Sequence, residues 1–294
     1  MNSKNYLTPD EIALSTIKTG IKKINRPYIK QFILGILAGA FIAFAAEGSN
    51  VSAYGLWAKP ETYGLGKAMA GAIFGTGLML VLLAGGDLFT GNTLIFMSVL
   101  ERKVKLSDML KNWLFVYLGN FVGSLLISYM IVKSGQLHMG NNMLAGTTIK
   151  IASYKVSLSF TSALFLGIMC NWLVCLAVWM AYGAKDFAGK ILAILFPIWL
   201  FITSGFEHSV ANMYYISAGI LAKSNPHYAE ASHLTQEALN ALNWKSFIVN
   251  NLIPVTLGNI IGGAVFVGAV YWFLYLKKSK SEVNSEEKTA KSNS

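Results

Sequence analysis

Six apolar runs, at about 32 to 57, 68 to 99, 112 to 132, 160 to 182, 190 to 221 and 248 to 276, constrain this chain more than any other feature. A helix needs about 20 apolar residues to cross a hydrocarbon core, and most of these runs are long enough. A water-soluble fold would need charged faces along them. Charged residues are only 13% of the chain, about half the share of an average soluble domain. The pattern predicts an all-α membrane protein with six transmembrane helices.

Charge sets the expected orientation. The polar segment 1–30 carries Lys4, Lys18, Lys22, Lys23, Arg26 and Lys30 before the first apolar run, which is unlike a secretory signal peptide. With that segment inside, 17 of the 24 basic residues fall in inner segments and 7 in outer ones. The positive-inside rule then places both termini in the cytoplasm of a multi-pass protein of the inner (cytoplasmic) membrane. The tail 277–294 is polar and expected to be disordered. A net charge of +10 lying at ends and loops gives no nucleic-acid signal. Cys170 and Cys175 share one run on different helix faces, so neither a disulfide nor a metal site is indicated.

The runs fall into two sets of three. "YLGNFVGSL" at 117 to 125 and "TLGNIIGGA" at 256 to 264 match at Leu118, Gly119, Asn120 and Gly123 against Leu257, Gly258, Asn259 and Gly262. Each follows a polar interruption of the preceding run. An odd-numbered unit used twice must enter the membrane in opposite senses, which predicts an inverted 3+3 repeat over 31–276, with halves at about 31–133 and 160–276. The paired glycines are read as close helix contacts, with Asn120 and Asn259 structural and, as an alternative, lining a pore.

The interruptions are "AGGDLFTGNT" at 84 to 93 and "TSGFEHSVANM" at 203 to 213. Backbone that leaves helical geometry in lipid exposes unpaired groups, so it survives only where protein or a polar cavity covers it. The second and fifth helices are therefore expected to be broken. The second ends near Ala84 and is irregular through Thr93, and the fifth breaks near Thr203 to Phe206 and resumes as helix from His208. Asp87 and Glu207 are assigned to structure, closing the breaks. His208 is either a packed histidine, bonded to Glu207 or a backbone carbonyl, or a histidine facing a path. Its place in a repeated break favours the path.

At "GGDLFTGNT", "GFEHSVANMYYI" and "NLIPVTLGNIIGG" the chain resembles the formate/nitrite transporter family, most closely its formate-channel branch, from about Arg26 to Leu276. The resemblance implies a homopentamer of aquaporin-like protomers in membrane lipid, each with its own path for small monovalent anions and protons. It puts the pathway on His208, Thr90, Asn171 and Lys155, and apolar constrictions on Phe74, Leu78, Leu88, Phe89 and Phe201. It implies passive or proton-coupled formate transport, with nitrite, hydrosulfide or lactate as alternatives, no enzymatic step and no cofactor or metal. A water or glycerol channel fits less well, because neither interruption contains a proline.

Overall fold

In a computed structural model, which describes residues 5–277, the six apolar runs form six helices long and apolar enough to cross a membrane: Tyr28–Trp57, Pro60–Gly85, Leu106–Ser134, Phe160–Gly183, Phe187–Ser204 and Trp244–Tyr275. Two shorter helices, Phe89–Leu100 and Ser209–Ala222, continue the second and fifth spans beyond non-helical turns. Among the described residues the sole β-contact is an isolated bridge between Tyr6 and Ala184. Beyond Lys277 the expected tail lies outside the described residues.

A non-spanning helix leads each half. Pro9–Ile24 precedes the first span and Met143–Ser157 the fourth. The first starts at a capping box, in which the Thr8 side chain meets the first turn while Glu11 accepts from the Thr8 backbone N–H at 2.7 Å. That backbone bond holds the Glu11 carboxyl below the usual carboxylate range. Ile12, Ala13 and Ile17 bury against Met97 and Trp179. The sequence sets 1–30 apart from the channel domain, whereas this helix packs on it as the counterpart of Met143–Ser157.

The halves close on glycine contacts. A Cβ at Gly39 would strike the Asn120 backbone, and one at Gly123 the carbonyl of Ile36, so the first and third spans approach as only glycines allow. The fourth and sixth spans do the same, where a Cβ at Gly258 would strike the carbonyl of Leu164 and one at Gly262 that of Ile168. The outer surface is apolar, with Leu114, Leu118, Leu126, Phe165, Phe196 and Leu200 all exposed. That surface suits a hydrocarbon solvent. Charged side chains instead go inward at the two breaks.

Candidate functional site

The site is built where helices stop. Gly85, at φ +105°, ends the second span, and Gly205, at φ +74°, ends the fifth. Both backbones sit in the region that glycine tolerates without a Cβ penalty. Extended residues follow, and helix resumes at Phe89 and at Ser209. The first interruption is thus far shorter than the loop to Thr93 expected from sequence, and the second lies slightly later than expected. The reason is local: one asparagine amide does the work that a longer loop would need.

Asn120 donates from Nδ2 to the carbonyls of Gly35 and Asp87, at 2.8 and 3.0 Å, and its Oδ1 accepts from Phe89 N–H at 2.9 Å. Asn259 repeats this with Gly167 O, Glu207 O and Ser209 N–H, at 2.8, 3.0 and 2.9 Å. Asp87 N–H adds a bond to Leu34 O and Glu207 N–H one to Leu166 O. Each break is therefore satisfied within its own half, as lipid demands of any non-helical backbone. Neither asparagine side chain is left free to face a path.

The acids of the two breaks are paired. Asp87 meets Lys23 at 3.0 Å and also Arg26. Lys23 additionally donates to Asn92, which donates to Asn112, which donates to Gln31. Burial alone would push the Lys23 ammonium down, but the Asp87 carboxylate beside it outweighs this and leaves its pKa raised. Glu207 meets Lys155 at 2.7 Å and accepts from Asn212 and Asn251. Lys155 also stands over the Tyr215 ring at 5.3 Å. The lysine expected at the pathway approach is thus held by a carboxylate and a ring.

His208 sits at the start of the second half-helix, and its ring nitrogens have distinct partners. Nδ1 accepts the backbone N–H of Ala211 at 3.0 Å, capping the helix. A backbone N–H can only donate, so Nδ1 carries no hydrogen and the network assigns the proton to Nε2. Nε2 faces Thr90 Oγ1 at 2.9 Å. Neutral His208 therefore donates to Thr90, leaving the threonine hydroxyl hydrogen available to a third group. Neither Glu207 nor a backbone carbonyl is its partner.

Thr90 is supported from behind. Its carbonyl accepts from Thr93 Oγ1 at 2.6 Å and from Asn171 Nδ2 at 3.2 Å, and Asn171 also donates to Asn259 O at 2.6 Å. Asn171 thus holds the helical turn that carries Thr90 rather than bonding the side chains of the Thr90–His208 pair. Gly263 leaves room for this, because a Cβ there would collide with Thr93, Asn171 and Cys175. On its other side His208 stacks on Phe201, with centroids 6.0 Å apart, and Phe201 meets Phe74 edge to face at 5.7 Å. Leu78 and Leu88 are buried in the same core. Phe89, in contrast, turns to Trp113 and Tyr117 of the third span.

Sequence reasoning missed Asn112, Asn212 and Asn251, and expected Asn92 to bond freed backbone, whereas its side chain bonds Lys23 and Asn112. Their signal was present: Asp87 to Asn92 and Glu207 to Asn212 are each five residues apart, and Asn112 to Asn120 and Asn251 to Asn259 each eight. It also missed Thr93, and treated Lys23 and Arg26 only as orienting charges. Among the described residues no group of acids, histidines and cysteines is placed to hold a metal.

The formate/nitrite transporter family model matches residues 10–273. The chain is 36% identical over 280 residues to the formate channel FocA of Escherichia coli K12, covering 95% of this chain and 98% of that protein. It is 40% identical over 272 residues to the formate channel BtFdhC of Bacillus thuringiensis, covering 92% and 96%. A solved structure described as a pentameric formate channel with formate bound superposes with a TM-score of 0.76 at 38% identity, covering 85% of this chain and 98% of that one.

Proposed function

Since the chain belongs to the formate/nitrite transporter family, we propose that it carries formate across the cytoplasmic membrane as a homopentamer with one pathway per protomer. The observation that carries this reading is the buried Thr90–His208 bond, formed where two broken helices meet beside the Phe74–Phe201 pair. Both termini face the cytoplasm, in keeping with 17 basic residues inside against 7 outside. No covalent bond is made or broken.

The chemistry follows from the barrier. A carboxylate loses its hydration at an apolar ring, and the loss is large unless hydrogen bonds replace water. The free hydrogen of the Thr90 hydroxyl supplies such a donor, and the Nε2–H of His208, bonded to the same oxygen, holds that hydroxyl turned toward the anion. Proton coupling would enter through Nδ1. That nitrogen can take a proton only by giving up the Ala211 N–H, so charging His208 loosens the first turn of its half-helix. Phe74, Leu78, Leu88 and Phe201 act as the apolar boundary, and Asn171 as a positioning residue.

Uptake of radiolabelled formate into proteoliposomes between pH 5 and 8 tests this reading. His208→Asn keeps an acceptor for Ala211 N–H but does not titrate, so it is expected to preserve assembly and to flatten the pH profile of the flux that remains. An unchanged pH profile in that variant takes proton coupling away from His208. Absence of wild-type formate uptake, with nitrite or lactate taken up instead, overturns the substrate.

A further inference from the structure

We infer that Lys67, rather than Lys155, is the residue that draws anions to the pathway end on the Glu207 side of the molecule. The inference rests on the anion-transport reading above and assigns a recruiting role to a residue outside the set expected from the family. It starts from the charge balance at the two breaks. On the Asp87 side, Lys23 and Arg26 face one carboxylate, leaving one positive charge in excess. On the Glu207 side, Lys155 faces one carboxylate and leaves none.

Lys67 supplies the missing charge. It lies in the second span, where Lys67 and Phe74 are seven residues apart and so share a helix face about 10 Å apart along the axis. Its ammonium reaches across to the fifth span: a Cβ on Gly205 would stand 3.4 Å from Nζ. Gly205 begins the break that carries His208 three residues later. Thr203 Oγ1 donates to the Lys67 carbonyl at 3.5 Å, holding the two helices together there. The ammonium has no carboxylate within bonding distance among the described residues, and it stands 6.0 Å from the ring of Tyr63 on the same helix. It also lies within the electrostatic reach of both Lys155 and Glu207, whose charges are opposite in sign.

A free positive charge at about 10 Å, at an effective dielectric of about 20, raises the local concentration of a monovalent anion on the order of tenfold. The attraction is screened by salt, since the Debye length is about 8 Å at physiological ionic strength. Lys155 cannot offer the same field, because its charge is spent on Glu207 at 2.7 Å. Lys67 accordingly acts on capture of the anion. His208 and Thr90 act on passage.

The experiment measures initial anion uptake from the Lys67 side against anion concentration and ionic strength, in oriented proteoliposomes. Lys67→Gln is expected to raise the half-saturating concentration about tenfold at low salt, with a much smaller change in maximal rate, and to flatten the salt dependence. Lys67→Arg is expected to restore both. Should the glutamine variant assemble poorly, Lys67→Cys can be modified from that side with a positively charged or a neutral thiol reagent, since the native cysteines are buried. Only the charged reagent is expected to restore capture. Unchanged half-saturation and salt slope in Lys67→Gln, or equal rescue by both reagents, overturns the inference. Running every arm with formate and with nitrite separates it from the substrate reading: a wild type that takes up nitrite alone refutes formate while the ratio of variant to wild type still tests Lys67.

Discussion

The two breaks are alike wherever backbone has to be satisfied and unlike wherever an anion would pass. Gly85 and Gly205 end the incoming helices, Asp87 and Glu207 pair with lysines, Asn92 and Asn212 sit on the outgoing half-helices, and Asn120 and Asn259 clamp the turns. Between these fixed points the side chains diverge. Where the first break has Leu88 and Thr90, the second has His208 and Val210. The duplicated part answers to the membrane, which penalises any unpaired backbone group in either half equally. The unduplicated part holds the Thr90–His208 bond, and a bond between two unlike side chains has to be asymmetric.

The most drastic way to break this comparison is to make the breaks match. His208→Leu gives the second break the side chain of the first, removing the donor to Thr90 and the cap on Ala211. Hydrogen bonds to charged groups contribute about 1.5 to 3 kcal/mol, so formate uptake is expected to fall roughly 100-fold in proteoliposomes. Light scattering should still report the assembled mass. Near-normal uptake would show that the asymmetric position is not where transport chemistry resides.

Next in size is the difference in charge pairing. Lys155→Met leaves Glu207, 2% exposed, without a cation, and is expected to destabilise the protein by about 3 to 5 kcal/mol in detergent unfolding. Lys23→Met leaves Asp87 still paired with Arg26 and should lose well under half as much. Adding Glu207→Gln to Lys155→Met should recover most of the loss. Equal losses in the two single variants would contradict the charge balance drawn from the structure.

Where the halves are equal, so should be the damage. Gly123→Ala and Gly262→Ala each push a Cβ into a facing carbonyl, and overpacking of this kind costs about 1 to 3 kcal/mol. The two are expected to lower the melting temperature by similar amounts and, being distant, to add in the double variant. One silent variant would mean that its half does not depend on the close approach.

The smallest contrast lies in the leading helices. Pro9–Ile24 has a capping box, whereas Met143–Ser157 starts from Asn142 in a left-handed conformation with no side-chain cap. Glu11 has a depressed pKa in the folded protein, so its contribution is present above the ordinary glutamate value and lost as pH falls through the lower folded value. Hydrogen exchange, corrected for intrinsic rate, should show protection of Thr8 and of 10–12 declining from pH 6 to pH 3 while that of 143–146 stays flat. Glu11→Gln should abolish the difference.

The six spans were legible because length and apolarity are read residue by residue, and the mirrored LGNxxG elements were visible as strings. The junction between His208 and Thr90, 118 residues apart, could be reached only through resemblance to a family. Periodicity places a residue on a face of its own helix and says nothing of what another half brings to it. The same limit explains Lys23 and Arg26: their charge was countable, but the partner 61 residues from Arg26 was not. Lys155 and Asn171 illustrate the opposite case, where the residues were singled out but their partners, a carboxylate and two backbone carbonyls, were not foreseen.

The asparagine clamps also say something about time. Phe89 emerges 31 residues before Asn120, and Ser209 emerges 50 before Asn259, so each break waits for the third span of its own half before its backbone is satisfied. Nothing in either clamp comes from the other half, nor do the partners of Asp87 and Glu207. The contacts of the proposed pathway are of the other kind: Thr90 with His208, Thr93 with Asn171, Phe74 with Phe201. A chain paused between its halves therefore has the turn of its first break already clamped, while the Thr90–His208 and Phe74–Phe201 contacts wait for the second half to dock on the first.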